Sequence, residues 1–384
     1  MATAKLNSQP KFIWVNITFF LIITLVTLIG APLYLIYFKF TPFLAGLTIF
    51  YTIATGMGIT VGYHRLFSHV SFNAHPLIQF FFLFFGAAAF EQSCMTWSSQ
   101  HRDHHRYVDT DLDPYSIKKG FWYAHVGWLI FWKHTVHYDN APDLQKNTLV
   151  AYQHKYYYIW ASFSGIILPT LIGAFYGQAL GAFIFAVCAR LVLVYNATFC
   201  INSVCHMFGK ATYDIYSTAK DHWLVALITN GEGYHNFHHR FPSDYRNGVR
   251  WYQWDPSKWL IAFLNFFRLS SDLKRTSRFR ILEAKLKADQ QRVRDWVLNN
   301  QEPGRLKTFQ AEVEERFRAL HHHLILWEKS AKAYSDVVRG RLQENSAALR
   351  NFSKKNADAA KDKFQQAQNA WQLLIKSRIN LALF

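Results

Sequence analysis

Three short clusters of histidine contain the residues of this sequence that are best suited to chemistry. The clusters read "HRLFSH", "HRDHH" and "HNFHH", and their histidines are His64, His69, His101, His104, His105, His235, His238 and His239. At 18 histidines in 384 residues, chance gives roughly 0.04 occurrences of the pattern HxxHH. The pattern occurs at both 101–105 and 235–239, so the spacing indicates metal-binding sites rather than a histidine-rich composition.

The spacing inside each cluster determines where the imidazoles can point. On a helix, residues at i, i+3 and i+4 share one face, so the second and third clusters can each direct three rings toward one region. The first cluster has an i, i+5 spacing, which separates its rings by about 140° on a straight α-helix. We therefore expect that pair to straddle a helix end or to converge from two sides. His206 follows Asn202 by four residues, and we expect both to point toward the clusters.

Nine histidines are more than one metal ion can bind. Imidazole ligands with few carboxylates suit iron, zinc or copper. Two ions sharing the histidines, with Asn202 ordering a water molecule, would keep open positions for chemistry. A structural zinc site would need only four ligands, usually including cysteine, and would have no open coordination position. A pair of redox-active metals is therefore the better interpretation.

The elements that must position these residues are long apolar helices. Four apolar runs, at 12–38, 41–63, 157–176 and 181–204, reach the ~20 residues that a hydrocarbon core demands. A fifth run at 77–90 is shorter and is expected to lie in the interface or to re-enter. Lysine and arginine concentrate before the first run, between the two pairs of runs and after the fourth. The positive-inside rule therefore predicts that both termini and every histidine cluster are cytoplasmic.

The composition changes near residue 270, which divides the chain into a membrane domain, 1–270, and a basic helical extension, 271–384. In the extension, apolar residues recur every three or four positions, at Phe309, Val313, Phe317, Leu320, Leu324 and Trp327. This pattern predicts an amphipathic helix, separated by "EPG" at 302–304 from an earlier helix near 281–298. We expect a small helical bundle or hairpin that could mediate self-association. The consecutive histidines at 321–323 are expected on a solvated face.

The charge balance limits the class of partner. A formal net charge of +17 favours acidic partners, such as anionic lipid, a phosphorylated substrate carrier or an acidic electron-transfer protein. No base-reading motif accompanies the charge, so a nucleic acid partner is not expected.

The three histidine clusters, together with "GITVGYHRLFSH", "NATFCINSVCHMFG" and "GEGYHNFHH", resemble the membrane fatty acid desaturases of the acyl-CoA Δ9 (stearoyl-CoA) type, bacterial branch. The resemblance covers about residues 41–273. It implies an all-α integral membrane protein with four transmembrane helices, a cytoplasmic histidine-box cap and a C-terminal helical extension. It places the chain in lipid metabolism, in the bacterial inner membrane, with its metal site and both termini in the cytoplasm.

The resemblance also implies the reaction and its cofactors. The family uses two iron ions, O2 as co-substrate and two electrons to introduce a cis double bond, at Δ9, into a saturated C16–C18 acyl chain. The sequence contains no GxGxxG fingerprint and no run of cysteine ligands. Electrons must therefore arrive from an external donor, such as a ferredoxin-like protein or a flavoprotein reductase.

Residue roles follow from the resemblance by position. One iron would be bound by His64, His69, His105 and His239, with Asn202 acting through a water molecule. The other would be bound by His101, His104, His206, His235 and His238. Trp97 and Thr198 match positions at the bend of the substrate tunnel, and Thr52 and Gly56 match positions that close its far end.

The sequence departs from the animal members of the family beside the second cluster. Ser99 and Gln100 occupy places where those members have an arginine and an aspartate that help to hold CoA. The acyl carrier therefore stays open between a CoA thioester, whose phosphates suit the positive charge, and an acyl group in a membrane lipid. Candidate contacts for the substrate or the electron donor are Arg65, Arg102, Arg106 and Arg240.

Two other functions share some of these features. A fatty-acyl or alkane hydroxylase of the same histidine-box superfamily would use the same metals and would transfer oxygen instead of forming a double bond. A membrane metal-binding or metal-transport protein is the non-enzymatic alternative. Transport would place the ligands within the membrane spans, whereas these histidines cluster at or beyond the ends of the apolar runs.

Overall fold

Helices make up most of the computed structural model, which describes residues 12–131, 136–300, 303–340 and 347–378. Four of them are long and apolar enough to cross a membrane. The sheet structure within the described ranges is one antiparallel pair of two-residue strands. The predicted fold class, an all-α integral membrane protein with four spanning helices, is confirmed.

The elements of the first compact unit, in chain order, are α1 (Trp14–Tyr37), α2 (Pro42–Ser68), β1 (Asn73–Ala74), α3 (Pro76–Ala87), α4 (Cys94–Tyr107), α5 (Trp128–Phe131), α6 (Pro142–Lys146), α7 (Thr148–Lys155), α8 (Tyr157–Phe175), α9 (Ala179–Met207), α10 (Trp223–Ile228), α11 (His235–Arg240), α12 (Pro256–Phe266) and β2 (Ser270–Ser271). The candidate spans are α1, α2, α8 and α9. Short 3-10 segments lie at Ile117–Lys119 and Tyr138–Asn140, and a π-helical segment at Tyr123–Gly127 precedes α5.

The candidate spans occupy the four predicted apolar runs, but α2 and α9 extend further at their C-terminal ends. The runs were expected to stop at 63 and 204, whereas α2 ends at Ser68 and α9 at Met207. The extra turns place His64 and His206 on the spanning helices themselves. The predicted runs end too early because polar side chains begin at these points and lower the hydropathy, although the backbone remains helical.

Local signals explain where several of these helices begin. Thr41 precedes α2 and its hydroxyl accepts the N–H of Leu44 at 3.2 Å, with Pro42 at the first helical position. Ser93 caps α4 in the same way, accepting the N–H of Thr96 at 3.3 Å. Such caps satisfy N–H groups that the first turn of a helix leaves unpaired. They fix the start of the two helices that lead to the first and second histidine clusters.

The end of α2 packs backbone to backbone against α3. A Cβ atom on Gly58 would overlap the main chain of Gly86. Helix α3 is 12 residues long, too short to count as a span; an interfacial or re-entrant position for it stays a prediction. The contact sets the position of the last turns of α2, which are π-helical over Gly58–Ser68. Such π-helical turns are rare and often occur at functional sites.

The second compact unit contains Thr212–Tyr216 and the chain from Thr276 onward. Its helices are α13 (Arg278–Asn300), α14 (Pro303–Val338) and α15 (Ala347–Arg378). The predicted apolar stripe of α14 is buried in the core of this unit, where it packs with Phe364 and Trp371. Glu302 lies outside the described residues, and α14 begins at Pro303, at the predicted break. The functions assigned to the two domains, 1–270 and 271–384, stay predictions.

Candidate metal centre

The structure brings the nine predicted histidines together in two groups. Within each group, one nitrogen from every imidazole lies within 4.8 Å of the others. The first group contains His64, His69, His101, His105 and His238. The second group contains His104, His206, His235 and His239.

The i, i+5 pair of the first cluster straddles the end of α2, one of the two arrangements expected. His64 lies in the π-helical last turns, and His69 follows directly after the helix. The N–H of His69 donates to the carbonyl of His64 at 3.1 Å, an i to i+5 bond that characterises the π-helix. The wider turn brings the two rings to the same side, with their centroids 4.9 Å apart.

The expected division of histidines between two metals is wrong for three residues. His101 and His238 lie in the first group, and His239 lies in the second. At 100° per residue, the first and last histidines of HxxHH are 40° apart, whereas the middle one is 100° from the last. Each helix therefore gives its i, i+4 pair to one group and its remaining histidine to the other.

Two of the rings have a carboxylate next to Nδ1, the nitrogen that points away from the centre of the group. Glu232 Oε2 lies 2.8 Å from Nδ1 of His64, and Asp113 Oδ1 lies 2.9 Å from Nδ1 of His104. A carboxylate on Nδ1–H keeps the proton there and leaves Nε2 as a lone pair directed at the centre of the group. Nδ1 of His206 is similarly engaged, 2.7 Å from Oγ1 of Thr218.

The Nε2 atoms of facing rings lie close together in each group. Nε2 of His64 lies 2.9 Å from Nε2 of His238. Nε2 of His104 lies 3.3 Å from Nε2 of His239. Because His64 and His104 hold their protons on Nδ1, they present lone pairs at these contacts. A metal ion in each group would satisfy converging lone pairs, so these residues fit the two metals that the resemblance implies.

The protonation state of the rings also suits metal binding. Burial, and then the neighbouring histidines, lower the pKa of several rings well below the usual value. These are the rings of His69, His101, His105, His235, His238 and His239. They are neutral at physiological pH, the form in which imidazole binds metals.

Arg65 supports the first group and has no donor left for a substrate. Its guanidinium donates to Glu232 at 2.9 and 3.1 Å, to Asp255 at 3.0 and 3.3 Å and to the carbonyl of Tyr245 at 2.8 Å. Burial opposes the charge on Glu232, but its interactions with His64 and Arg65 hold the pKa of that carboxyl at about 2. The expectation that Arg65 contacts the substrate or the donor is therefore wrong, because its five N–H groups are used inside the protein.

Arg102 is engaged in the same way. It forms a bidentate pair with Asp143 at 2.7 and 2.8 Å. Its remaining N–H groups donate to the carbonyls of Phe67, Ser68 and Asn140. The expected substrate or donor contact by Arg102 is wrong for this reason. Arg106 and Arg240, the other two candidates, are exposed.

One cavity of about 540 Å³ joins the histidines to the predicted tunnel residues. Histidines from both groups line it, as do Asn202 and the four predicted positions Thr52, Gly56, Trp97 and Thr198. The volume lies within the roughly 300–1,000 Å³ of typical ligand pockets. Much of the remaining wall is apolar, with Phe19, Phe20 and Phe199 among its side chains.

The two residues that depart from the animal pattern lie beside this cavity. Gln100 lines it, whereas Ser99 is buried and its hydroxyl donates to the carbonyl of His137 at 2.9 Å. Neither residue supplies a positive charge where the animal members have an arginine.

Three carboxylates at the site were not expected from the sequence: Glu91, Asp113 and Glu232. Asp113 and Glu232 support the rings described above. Glu91 lines the cavity and contacts Trp97 and Thr198. Its signal in the sequence was a lone acid after the apolar run, in "AAAFEQSC", which gave no sign of what it would face.

Comparison with known proteins identifies a family. A family model described as fatty acid desaturase matches residues 40–265. The chain is 44% identical over 251 residues to "Probable acyl-CoA desaturase" of Schizosaccharomyces pombe, with 64% of this chain and 52% of that protein covered. It is 40% identical over 265 residues to "Acyl-CoA desaturase 1" of Saccharomyces cerevisiae, with 68% of this chain and 51% of that protein covered.

A third relative is covered almost completely. The chain is 32% identical over 277 residues to "sn-1 stearoyl-lipid 9-desaturase" of Anabaena variabilis, with 71% of this chain and 97% of that protein covered. In contrast, the chain spans about half the length of the two fungal relatives. Similarity to both fungal and cyanobacterial proteins does not favour the bacterial branch that was expected.

Proposed function

Since the chain belongs to the fatty acid desaturase family, we propose that it introduces a cis double bond between C9 and C10 of a saturated C16–C18 acyl chain. O2 is the oxidant, and two electrons from a separate protein complete its reduction to water. The observation that carries this proposal is the shared cavity. Histidines of both groups and many apolar side chains line the same cavity of about 540 Å³, as a reaction on a hydrocarbon chain requires.

We propose two iron ions, one in each group of histidines, with Asn202 acting through a water molecule. Iron with O2 supplies an oxidant for an unactivated C–H bond, which acid–base catalysis cannot break. The protein keeps most of the ligand rings neutral, because burial lowers the pKa of His69, His101, His105, His235, His238 and His239. Glu232 and Asp113 orient His64 and His104 through their Nδ1 atoms. Removing such a carboxylate from a ligand ring typically costs 10–100-fold in metal affinity or activity.

The acyl chain occupies the cavity between Trp97 and Thr198 at one point and Thr52 and Gly56 at another. All four residues line the same space as the histidines. The small side chains at the two α2 positions leave room for chains at least as long as eighteen carbons. Substrate position, rather than a catalytic side chain beyond the metal ligands, determines which bond is oxidised.

We propose a CoA thioester as the acyl carrier, with an acyl lipid as the alternative. The names of the two fungal relatives specify acyl-CoA, and the net charge of +17 suits the phosphates of CoA. The cyanobacterial relative is named a stearoyl-lipid desaturase. Arg65 and Arg102 form their hydrogen bonds inside the protein, so these two cations cannot bind the phosphates of CoA. The lipid carrier is therefore tested as well.

The remaining partners follow from charge and topology. Arg106 and Arg240 directly follow the second and third histidine clusters and are exposed, so we propose them as contacts for a ferredoxin-like or flavoprotein donor. The protein is an integral membrane protein, and we propose the bacterial inner membrane with the histidine groups on the cytoplasmic side. Self-association through α13, α14 and α15 is proposed as a use of the second unit.

Product analysis on the purified full chain in lipid nanodiscs tests the proposal. Stearoyl-CoA or a 1-stearoyl phospholipid is supplied with ferredoxin, its reductase and O2, and an anaerobic sample is the control. Gas chromatography is expected to show 9-octadecenoate from stearoyl-CoA. The same product only from the phospholipid would establish the alternative carrier, and a hydroxylated acid would establish a hydroxylase. Metal binding without any product or O2 uptake would contradict an enzymatic function.

A further inference from the structure

The backbone around Glu91 is held in an unusual conformation that presents this residue to the cavity. Phe90 and Gln92, on either side, have φ values of 57° and 75°, in the left-handed region that residues with a Cβ rarely adopt. Tyr195 Oη donates to the carbonyl of Phe90 at 3.3 Å, and the N–H of Gln92 donates to Tyr157 Oη at 3.0 Å. Strained backbone of this kind persists where its surroundings over-determine it, often at functional sites.

The carboxyl of Glu91 lies between the two predicted bend residues. Nε1–H of Trp97 donates to Oε2 at 3.2 Å, and Oγ1 of Thr198 lies 3.1 Å from Oε1. The indole of Trp97 in turn stacks on the ring of His101, with centroids 4.8 Å apart. Glu91 thus contacts the residues that shape the cavity beside the first group, without contacting a histidine itself.

The side chains around this carboxyl do not neutralise it through an ion pair. The phenols of Tyr63 on α2, Tyr157 on α8 and Tyr195 on α9 interact with it electrostatically. Other titratable groups that line the same cavity include His64, His101, His104, Tyr115, Glu232 and His235. Among the described residues, no lysine, arginine or histidine forms an ion pair with Glu91. A carboxylate in such a place is costly once water is removed from around it.

The neutral acid keeps a hydrogen bond to each of the two partners, Trp97 and Thr198. Its carbonyl oxygen accepts the N–H of Trp97. Its hydroxyl donates to Oγ1 of Thr198, in place of the bond that Thr198 donates to the ionised carboxylate. An apolar chain can then displace the water of the cavity without leaving a charge unsolvated.

We infer that Glu91 must carry a proton for the cavity to bind an acyl chain, so that acyl binding depends on pH. This inference rests on the proposed function, because the proposed substrate is the chain that displaces the water. Burial raises the pKa of Glu91 to about 7, although hydrogen bonds from Trp97 and Thr198 oppose the rise. A raised pKa leaves the acid neutral below about pH 7, so binding is strongest there and is lost as the pH rises.

The size of the effect follows from the neutral fraction. If only the neutral form binds the chain, the apparent dissociation constant varies inversely with that fraction. Between pH 6 and pH 8 the fraction falls about tenfold for a group that titrates near 7.

Glu91→Gln provides the sharpest test, since the amide reproduces the neutral acid at every pH. Its carbonyl accepts from Trp97, and its amide N–H donates to Thr198. Stearoyl-CoA binding to the full chain, loaded with metal and kept anaerobic to prevent turnover, is measured by calorimetry from pH 6 to pH 8. The unaltered protein is expected to lose affinity about tenfold more than Glu91→Gln over this range.

Two further variants complete the test. Glu315→Gln makes the same chemical change at an exposed carboxylate of α14 and is expected to titrate like the unaltered protein. Glu91→Leu removes the hydrogen bonds as well as the charge and is expected to bind without the extra pH dependence.

The outcomes separate this inference from the proposed function. Equal pH dependence in the unaltered protein and in Glu91→Gln, with binding at pH 6, would overturn the role of Glu91 alone. Failure of both proteins to bind stearoyl-CoA at pH 6 would contradict the proposed acyl-CoA substrate and, with it, the inference.

Discussion

At the residue scale, the chemistry of the histidine groups depends on what occupies the second nitrogen of each ring. Glu232, Asp113 and Thr218 contact Nδ1 of His64, His104 and His206. Each leaves Nε2 directed into its group. These contacts, more than the number of imidazoles, distinguish a prepared metal centre from a cluster of histidines on a surface.

Sequence spacing predicted the nine histidines but not how they divide. HxxHH places three rings near one helix face. The first and last rings are only 40° apart and form a pair, whereas the middle ring points 100° away from the last. Carboxylates such as Glu232 and Glu91 were missed for another reason. They reach the site through tertiary packing, and a lone acid in sequence carries no spacing that would reveal its partner.

Gly56 gives a prediction about chain length at this scale. It lines the cavity, and a Cβ there would approach only Nδ2 of Asn230, at 3.2 Å. Gly56→Trp is expected to fill the far end of the cavity and to shift the accepted substrate from C18 to shorter chains, as measured by competition between acyl-CoAs of different length. Gly46→Trp, at an exposed α2 position with no atom within 4 Å, is the matched control. Unchanged chain-length preference in Gly56→Trp would refute the proposed tunnel end.

At the element scale, hydropathy predicts the membrane spans, and the ends of these spans position the histidine groups. The four apolar runs predicted α1, α2, α8 and α9 to within a few residues. The π-helical end of α2 could not be predicted, because its geometry depends on packing against α3 rather than on its own sequence. That end supplies His64 and positions His69, so the least predictable backbone lies at the metal centre.

The close contact of Gly58 with α3 predicts that a larger residue at this position destabilises the protein. Gly58→Ala forces a Cβ against the backbone of Gly86 on α3, and overpacking of this kind costs about 1–3 kcal/mol. We expect earlier thermal unfolding and lower iron content than in Gly46→Ala, which gains the same helix propensity on α2 without a contact. Unfolding monitored by intrinsic fluorescence, with metal analysis, measures both. Equal behaviour of the two alanine variants would show that the close packing is not required.

At the scale of the whole molecule, a buried arginine ties the membrane helices together around the site. Arg190 on α9 donates to the carbonyls of Ala88 and Gly165 and to the hydroxyl of Thr55, at 2.7 to 3.1 Å. These groups belong to α2, to α8 and to the segment that follows α3. Charged residues inside membrane spans are costly and mark function; here the charge fixes the helices that enclose the cavity. The second compact unit has its own apolar core, which its periodicity predicted.

Iron binding and product formation, measured on one sample, test whether the chain is a two-iron desaturase. Metal-free full-length protein is titrated anaerobically with Fe(II), and portions are then given stearoyl-CoA, electron donor and O2. We predict saturation at about two ions per chain, with 9-octadecenoate formed only when both are bound. His69→Ala and His235→Ala, which remove one ligand from the first and second group respectively, are each expected to weaken binding of one ion and to abolish product. Saturation at one ion, or full activity in either variant, would contradict a two-iron centre.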